Sequence, residues 1–203
     1  VSICAYFEYC GVKLDADKWR KKMEKDEEDY KTALNELNEW VCTNMPNSKY
    51  VVVDGQGDLF TGFDLRPKCN INWNSSKQLI EFFEKLGYNL VTKDKKTGEE
   101  KKSVEIKILQ GQPNISTIIK PYAKYSAAQK VISTYGQNVL DQINPITKRV
   151  HTNFNAIGTD TSRLSSGGKD KEHHIDYLNF QNFPADKETR SCFISEPGYK
   201  WIS

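Results

Sequence analysis

The sequence predicts an α+β fold, with antiparallel helices over the first two-thirds of the chain and antiparallel strands over the last third. Three observations predict it. Apolar residues recur at helical spacing through most of residues 1–140, punctuated by glycine and proline stops. From His151 onward the pattern changes to short alternating runs separated by Ser-, Thr- and Gly-rich stretches. The 203 residues, 37% hydrophobic and 28% charged, supply a core for one large domain or two small ones and exclude disorder throughout. The longest apolar runs, 1–7 and 50–53, fall far short of the roughly 20 residues of a membrane span, and no segment resembles a signal peptide. The chain therefore reads as soluble and intracellular (cytoplasmic), without a membrane partner. Cys4, Cys10, Cys42, Cys69 and Cys192 are odd in number, widely spaced and without a C-x-x-C pair, so they read as reduced packing residues. The chain starts at Val1 rather than Met and stops at an apolar-alternating run, 200–203, that reads as a strand cut short; a piece of a longer polypeptide is expected.

Each element has a local reason. Residues 1–10 carry Ile3, Phe7 and Cys10 at helical spacing with Gly11 as a stop. Val12, Lys13 and Leu14 form a short extended link. Asp15 or Asp17 caps a long helix, apolar at Trp19, Met23, Tyr30, Leu34, Leu37 and Val41, that runs to about Asn44 ahead of Pro46. Its other face is dense in charge, so Trp19 and Trp40 read as core. Residues 50–53 and 59–63 predict a hairpin around 54–58; the Gly55-Gln56-Gly57 spacing lacks the third glycine and the following helix of a dinucleotide site. Ser75 or Ser76 caps a short helix with Leu79, Ile80, Phe83 and Leu86 inward and Gly87 as its stop. Residues 103–110 stay open between a strand, from the alternation of Val104, Ile106 and Ile108, and a helical turn. A helix follows over 115–140, with Pro121 expected to kink or restart it. Beyond it, 151–157 alternates as a strand, 159–171 reads as a loop and 191–203 as a hairpin, with Glu196-Pro197-Gly198-Tyr199 suited to a type II turn.

The net charge of +2 hides an asymmetry. Residues 1–43 hold seven Lys/Arg against ten Asp/Glu, whereas 85–150 hold twelve against five, making the second stretch the candidate polyanion surface. Its densest part, 93–102, mixes signs around Gly98 and on its own reads as a solvated loop tip. Lys120 and Lys124, one helical turn apart, suit phosphates or solvent equally. His173 and His174, with Glu172 and Asp170, read as a solvated loop, since adjacent histidines diverge. Ser165 and Ser166 have no base signal nearby, which argues against hydrolase chemistry.

The specific signal lies in ordered motifs: Asn144-Pro145, Arg149-Val150-His151-Thr152, Thr161-Ser162-Arg163-Leu164-Ser165-Ser166, Asn179-Phe180-Gln181-Asn182-Phe183-Pro184, then Arg190. Together they resemble family A DNA polymerases, the bacterial DNA polymerase I group. Upstream, Gly11-Val12-Lys13-Leu14-Asp15, Ser76-Lys77-Gln78-Leu79 and Lys130 with Ser133-Thr134-Tyr135 are similar to that family's lead-in and thumb helices. Three features depart from it: Ser162 stands where the family usually has Gly, the loop 167–177 is longer and more charged, and 54–63 looks like an insertion.

The resemblance implies a helical thumb arm plus the first antiparallel strands of a palm sheet. Residues 1–44 would be the lead-in, 45–72 a hairpin insertion, 73–150 the thumb and 151–203 the start of the palm. The implied parent is a template-dependent DNA-directed DNA polymerase, a nucleotidyltransferase, with primer-template DNA and deoxynucleotide triphosphates as partners. Arg163 would contact the primer strand in the minor groove, and Asn179, Gln181 and Asn182 would hold template and primer backbones. Asn144 and Arg149 would grip the duplex upstream, and Lys130 and the 93–102 tip would meet phosphates. Such donors suit a reader of any sequence, because the minor-groove acceptors of every base pair are alike. The resemblance puts the first of two aspartates holding two Mg ions just past Ser203, so no catalytic residue or metal ligand is expected here and the fragment alone is expected to be inactive. The alternatives are a non-catalytic duplex-DNA-binding module of the same family and a structural interaction domain.

Overall fold

The computed structural model describes residues 3–53, 66–94, 97–112, 116–156, 163–170 and 175–200. Helix α1 (Ile3–Cys10) closes where Gly11 donates its N–H to the Phe7 carbonyl at 3.0 Å and adopts φ +58. A Cβ at Gly11 would lie 2.7 Å from the His151 ring, so this stop needs glycine twice over. Strand β1 (Val12–Lys13) leads to Asp15, whose carboxylate accepts the Lys18 N–H at 3.1 Å and caps α2 (Ala16–Asn44). Asp17 sits inside the first turn, paired with Arg20 at 2.7 Å.

Strand β2 (Val51–Val53) pairs antiparallel with β3 (Pro67–Cys69), Val51 opposite Cys69. The strand expected at 59–63 lies outside the described residues, and the partner found comes later in the chain. Pro67 stands at the end of its ladder, where a missing N–H costs little. Helix α3 (Ser76–Lys85) is capped by Ser75, which accepts the Gln78 N–H, and Phe82 joins Leu79 and Phe83 in the core. Strands β4 (Val91–Lys93) and β5 (Glu100–Lys102) form a hairpin in the lysine-rich stretch, where Lys101 meets Asp94 at 2.7 Å. The open stretch at 103–110 resolves as α4 (Ile106–Gln110), driven by burial of Leu109.

Two helices, α5 (Ile119–Tyr135) and α6 (Gln137–Asp141), replace the single one expected over 115–140. Pro121 sits in the first turn of α5, where N–H groups have no intrahelical acceptor, so it produces no kink. The break falls at Gly136, where a Cβ would meet the Ile132 carbonyl oxygen at 2.7 Å. The last third divides more finely than its alternation suggests, into β6 (Arg149–Val150), β7 (Phe154–Asn155), β8 (Ser165–Ser166), β9 (Gly168–Asp170) and β10 (Ile175–Tyr177). β6 pairs with β1, β7 with β8 and β9 with β10, all antiparallel. A 3₁₀ turn (Phe180–Asn182) and α7 (Lys187–Ser191) follow, the latter capped by Asp186, which accepts the Thr189 N–H and hydroxyl, both at 2.7 Å. The expected turn at 196–199 is present: Tyr199 N–H reaches the Glu196 carbonyl at 3.0 Å and Gly198 takes φ +86. Residues 201–203, where the sequence predicts the second strand of the hairpin, lie outside the described residues.

The chain forms two compact units, one of residues 1–29 with 128–203 and one of residues 30–127. In the first, Leu14, Trp19, Tyr135, Val139, Val150, Leu178 and Cys192 make the core, with Phe183 edge-on to Trp19 at 6.1 Å. β1 joins both pieces of this unit: beyond its pairing with β6, Asp15 N–H donates to Cys192 and Ile194 N–H to Lys13, at 2.8 and 3.0 Å. Lys22 is buried, salt-bridged to Asp26 and 5.6 Å from the centre of the Trp19 ring. In the second unit the core gathers Leu37, Phe82, Phe83, Leu90, Leu109 and Ile118. Trp73 Nε1 donates to Asn38 Oδ1 at 2.8 Å, whereas the buried Tyr50 hydroxyl finds no partner among the described residues, and burial pushes the Tyr122 hydroxyl up to about 12.

Candidate nucleic-acid interface

All seven residues singled out in the sequence fall in the first unit. Two segments, 163–168 and 176–182, lie against each other there. Gly167 makes the approach: its φ is +90, its N–H donates to Asn153 at 2.9 Å, and a Cβ would sit 3.0 Å from the Tyr177 carbonyl oxygen and 3.1 Å from Asn179. Asn179 is the cap of the 3₁₀ turn, its Oδ1 accepting the Gln181 N–H at 3.0 Å and the Ser166 hydroxyl at 3.1 Å. Gln181 extends its carboxamide along 164–166, with Nε2 donating to the Leu164 carbonyl at 2.7 Å and Oε1 accepting the Ser166 N–H at 3.1 Å. One side chain thus supplies the donor and acceptor that a neighbouring strand would.

Arg163, the next residue toward the N-terminus, is exposed. Asn182 is also exposed, and its backbone carbonyl accepts the Tyr135 hydroxyl. Lys130 is exposed on the part of α5 that belongs to this unit. Asn144 builds a turn: its Oδ1 accepts the N–H groups of Ile146 and Thr147 at 2.8 and 3.0 Å, and Lys148 takes φ +55. Arg149 is engaged within the fold, one nitrogen donating to the Cys10 carbonyl at 2.8 Å and another to Glu196 at 3.0 Å. Lys13 reaches the same carboxylate at 2.8 Å, and these bonds, Lys13 first and then Arg149, hold Glu196 below the usual carboxylate range. The lysine-rich β4–β5 hairpin belongs to the other unit, and its Lys102 pairs with Glu84. Lys124, also in that unit, pairs with Glu36 at 2.7 Å.

The structure adds Gln142, which no motif marked, and a buried role for Thr152, the last residue of the 149–152 motif. Gln142, just after α6, repeats what Gln181 does: Nε2 donates to the Asp176 carbonyl and Oε1 accepts the Leu178 N–H at 3.1 Å. Buried Thr152 donates to the Leu178 carbonyl at 2.6 Å. Beside them runs a cleft of about 590 Å³ whose lining includes Thr134, Asn138, Gln142 and Asn179 together with Asp141 and Asp176. The only sequence signal for Gln142 was its place between a helix end and the Asn144 turn. Among the described residues no group of three or more His, Cys, Asp or Glu is placed to hold a metal ion, and His173 and His174 lie outside them. No described helix is long and apolar enough to cross a membrane.

The exposed side chains here, the Arg163 and Lys130 cations and the Asn182 carboxamide, are donors of the type that hydrogen-bonds to phosphate and sugar oxygens. The model of the family described as DNA polymerase family A matches residues 63–203, more than half of the chain. The chain belongs to DNA polymerase family A. Thermostable DNA polymerase I of Thermus aquaticus is 34% identical over 137 residues, which is 65% of this chain and 15% of that protein. DNA polymerase I of Caldicellulosiruptor bescii is 35% identical over 136 residues, 64% of this chain and 14% of that protein. The chain therefore spans about 15% of the length of such relatives. Among solved structures, the POL domain of Pol1 from M. smegmatis, in complex with DNA primer-template and dNTP, aligns with a TM-score of 0.61 at 20% identity. It covers 97% of this chain and 29% of its own, a likeness of fold.

Proposed function

We propose that this chain grips primer-template DNA within a DNA-directed DNA polymerase. The observation that carries the reading is the paired surface of 163–168 and 176–182, on which Asn179 and Gln181 spend their side chains holding the backbone while Arg163 and Asn182 stand exposed beside it. Arg163 and Asn182 would meet sugars, phosphates and minor-groove acceptors, and Lys130 a phosphate; Asn144 and Arg149 would shape the turn and strand flanking them. Asn179 and Gln181 would touch the backbone only with donors left over from that scaffold. The assignment of 1–44 as lead-in, 45–72 as insertion, 73–150 as thumb and 151–203 as the start of the palm belongs to the same proposal. So does nucleotidyl transfer by the complete protein, with the carboxylates and the Mg ions contributed from outside this stretch. The relative of known structure was solved with primer-template and dNTP, which supports the choice of ligand.

The experiment is binding of this chain to a fluorescent primer-template duplex across a salt series. Binding is expected to be indifferent to base sequence and to weaken steeply with salt. Lys130→Ala is expected to reduce the salt slope by about 1, and Arg163→Ala to weaken binding by about tenfold on every sequence tested. A folded chain that fails to bind at low salt, or that prefers one sequence strongly, defeats the reading. Nucleotide incorporation by this chain alone would defeat its proposed inactivity.

A further inference from the structure

Two glutamines perform the same operation in series. The Gln142 carboxamide spans the Asp176 carbonyl and the Leu178 N–H, and the Gln181 carboxamide spans the Leu164 carbonyl and the Ser166 N–H. Each bridges residues i and i+2 of an extended segment as a neighbouring strand would. The two clamps are linked: Leu178 is followed by Asn179, whose side chain binds both the Gln181 N–H and the Ser166 hydroxyl. The chain of contacts runs from the end of α6, through Gln142, along 176–179, through Asn179 and Gln181, to 164–166 and the adjoining Arg163. Gly167 and Thr152 tighten the same stack, the first by its close approach to Tyr177 and Asn179, the second by its bond to Leu178.

We propose that Gln142 is a positioning residue for the DNA-facing segment, fixing through 176–179 and Gln181 the strand that carries Arg163. The idea rests on the primer-template reading above for its functional consequence, although the linkage itself is a property of the free chain. A carboxamide suits the task because it offers one donor and one acceptor in a plane. A carboxylate keeps only the acceptor, and a thioether of similar length keeps no donor and only a weak acceptor. Loss of the Gln142 carboxamide would leave the Asp176 carbonyl and the Leu178 N–H to water and loosen 176–179 with its Asn179 side chain, the β9 pairing and the Thr152 bond remaining.

The test has two arms on the whole chain. Without DNA, amide hydrogen exchange is compared between wild type and Gln142→Met. The exchange of Leu178 and of Ser166 is expected to rise about tenfold, with Trp19 in the core unchanged. A rise at Leu178 alone makes the two clamps independent and overturns the relay, as does no change at either. Gln142→Glu keeps the acceptor, so its Leu178 amide is expected to stay closer to wild type than that of Gln142→Met. With DNA, Gln142→Met is expected to weaken primer-template binding about fivefold in wild type and to have no further effect in an Arg163→Ala background. The same loss in both backgrounds would mark a merely structural residue and overturn the proposal. A wild-type chain that binds no duplex would defeat the functional reading, and the exchange arm would still decide the linkage.

Discussion

Glu196 takes bonds from Lys13 and Arg149, while a second nitrogen of Arg149 satisfies the Cys10 carbonyl at the end of α1. In the sequence Glu196 was visible only as the first residue of a turn, because its partners stand 183 and 47 positions away. The lowered pKa of Glu196 has a consequence of definite sign. Above the ordinary value of 4.5 the clasp contributes its full stability, and as pH falls from there through the lower folded value the proton enters and the contribution disappears. Glu196→Gln is therefore expected to lose less thermal midpoint than wild type between neutral pH and pH below 4.5, the two being compared by melts at each pH. Equal losses would show that this carboxylate does not titrate in that window. Asn179 and Gln181 illustrate the same limit from the other side. Their motif singled them out, but whether their side chains face a ligand or their own backbone depends on segments 13 to 17 residues upstream.

At the scale of elements, caps and stops were legible because they act within a turn of themselves. Asp15, Ser75 and Gly11 each do so. What failed locally was the competition between neighbouring signals. Pro121 is expected from the sequence to kink or restart a helix over 115–140; α5 starts at Ile119 with Pro121 in its first turn, where a proline removes no bond, and the break inside the stretch falls at Gly136. Gly167 and Gly87 give a direct comparison. Both have positive φ, +90 and +85, but a Cβ at Gly87 meets nothing within 4 Å, whereas at Gly167 it presses on the backbone of 177–179. Gly87→Ala is expected to cost about 1 kcal/mol with duplex binding intact. Gly167→Ala is expected to cost about 2–3 kcal/mol and to weaken duplex binding. Chemical denaturation with parallel binding curves checks both, and an equal cost with equal binding would refute the contrast.

Across the whole molecule the two units have separate cores, and the interface residues belong to one of them. Phe82 is fully buried in the other, against Tyr50, Trp73 and Phe83 at 5.2–5.5 Å between ring centres. Phe82→Ala is expected to cost about 3–5 kcal/mol. Hydrogen exchange should rise mainly within 30–127, while the Leu178 and Ser166 amides keep their protection. Loss of that protection would mean that the two cores melt as one. The sequence by itself determined the α+β class, most helix positions with their caps, and the family, because periodicity, caps and ordered motifs are written within a few residues of one another. Only the tertiary structure decided that β2 pairs with 67–69, that residues 1–29 and 128–203 share a core, that Arg149 is clasped by Glu196, and that Gln142 and Gln181 act as strand substitutes. Each of these is a bond or packing contact between residues distant in the chain, whose partners are selected by geometry that no local pattern encodes.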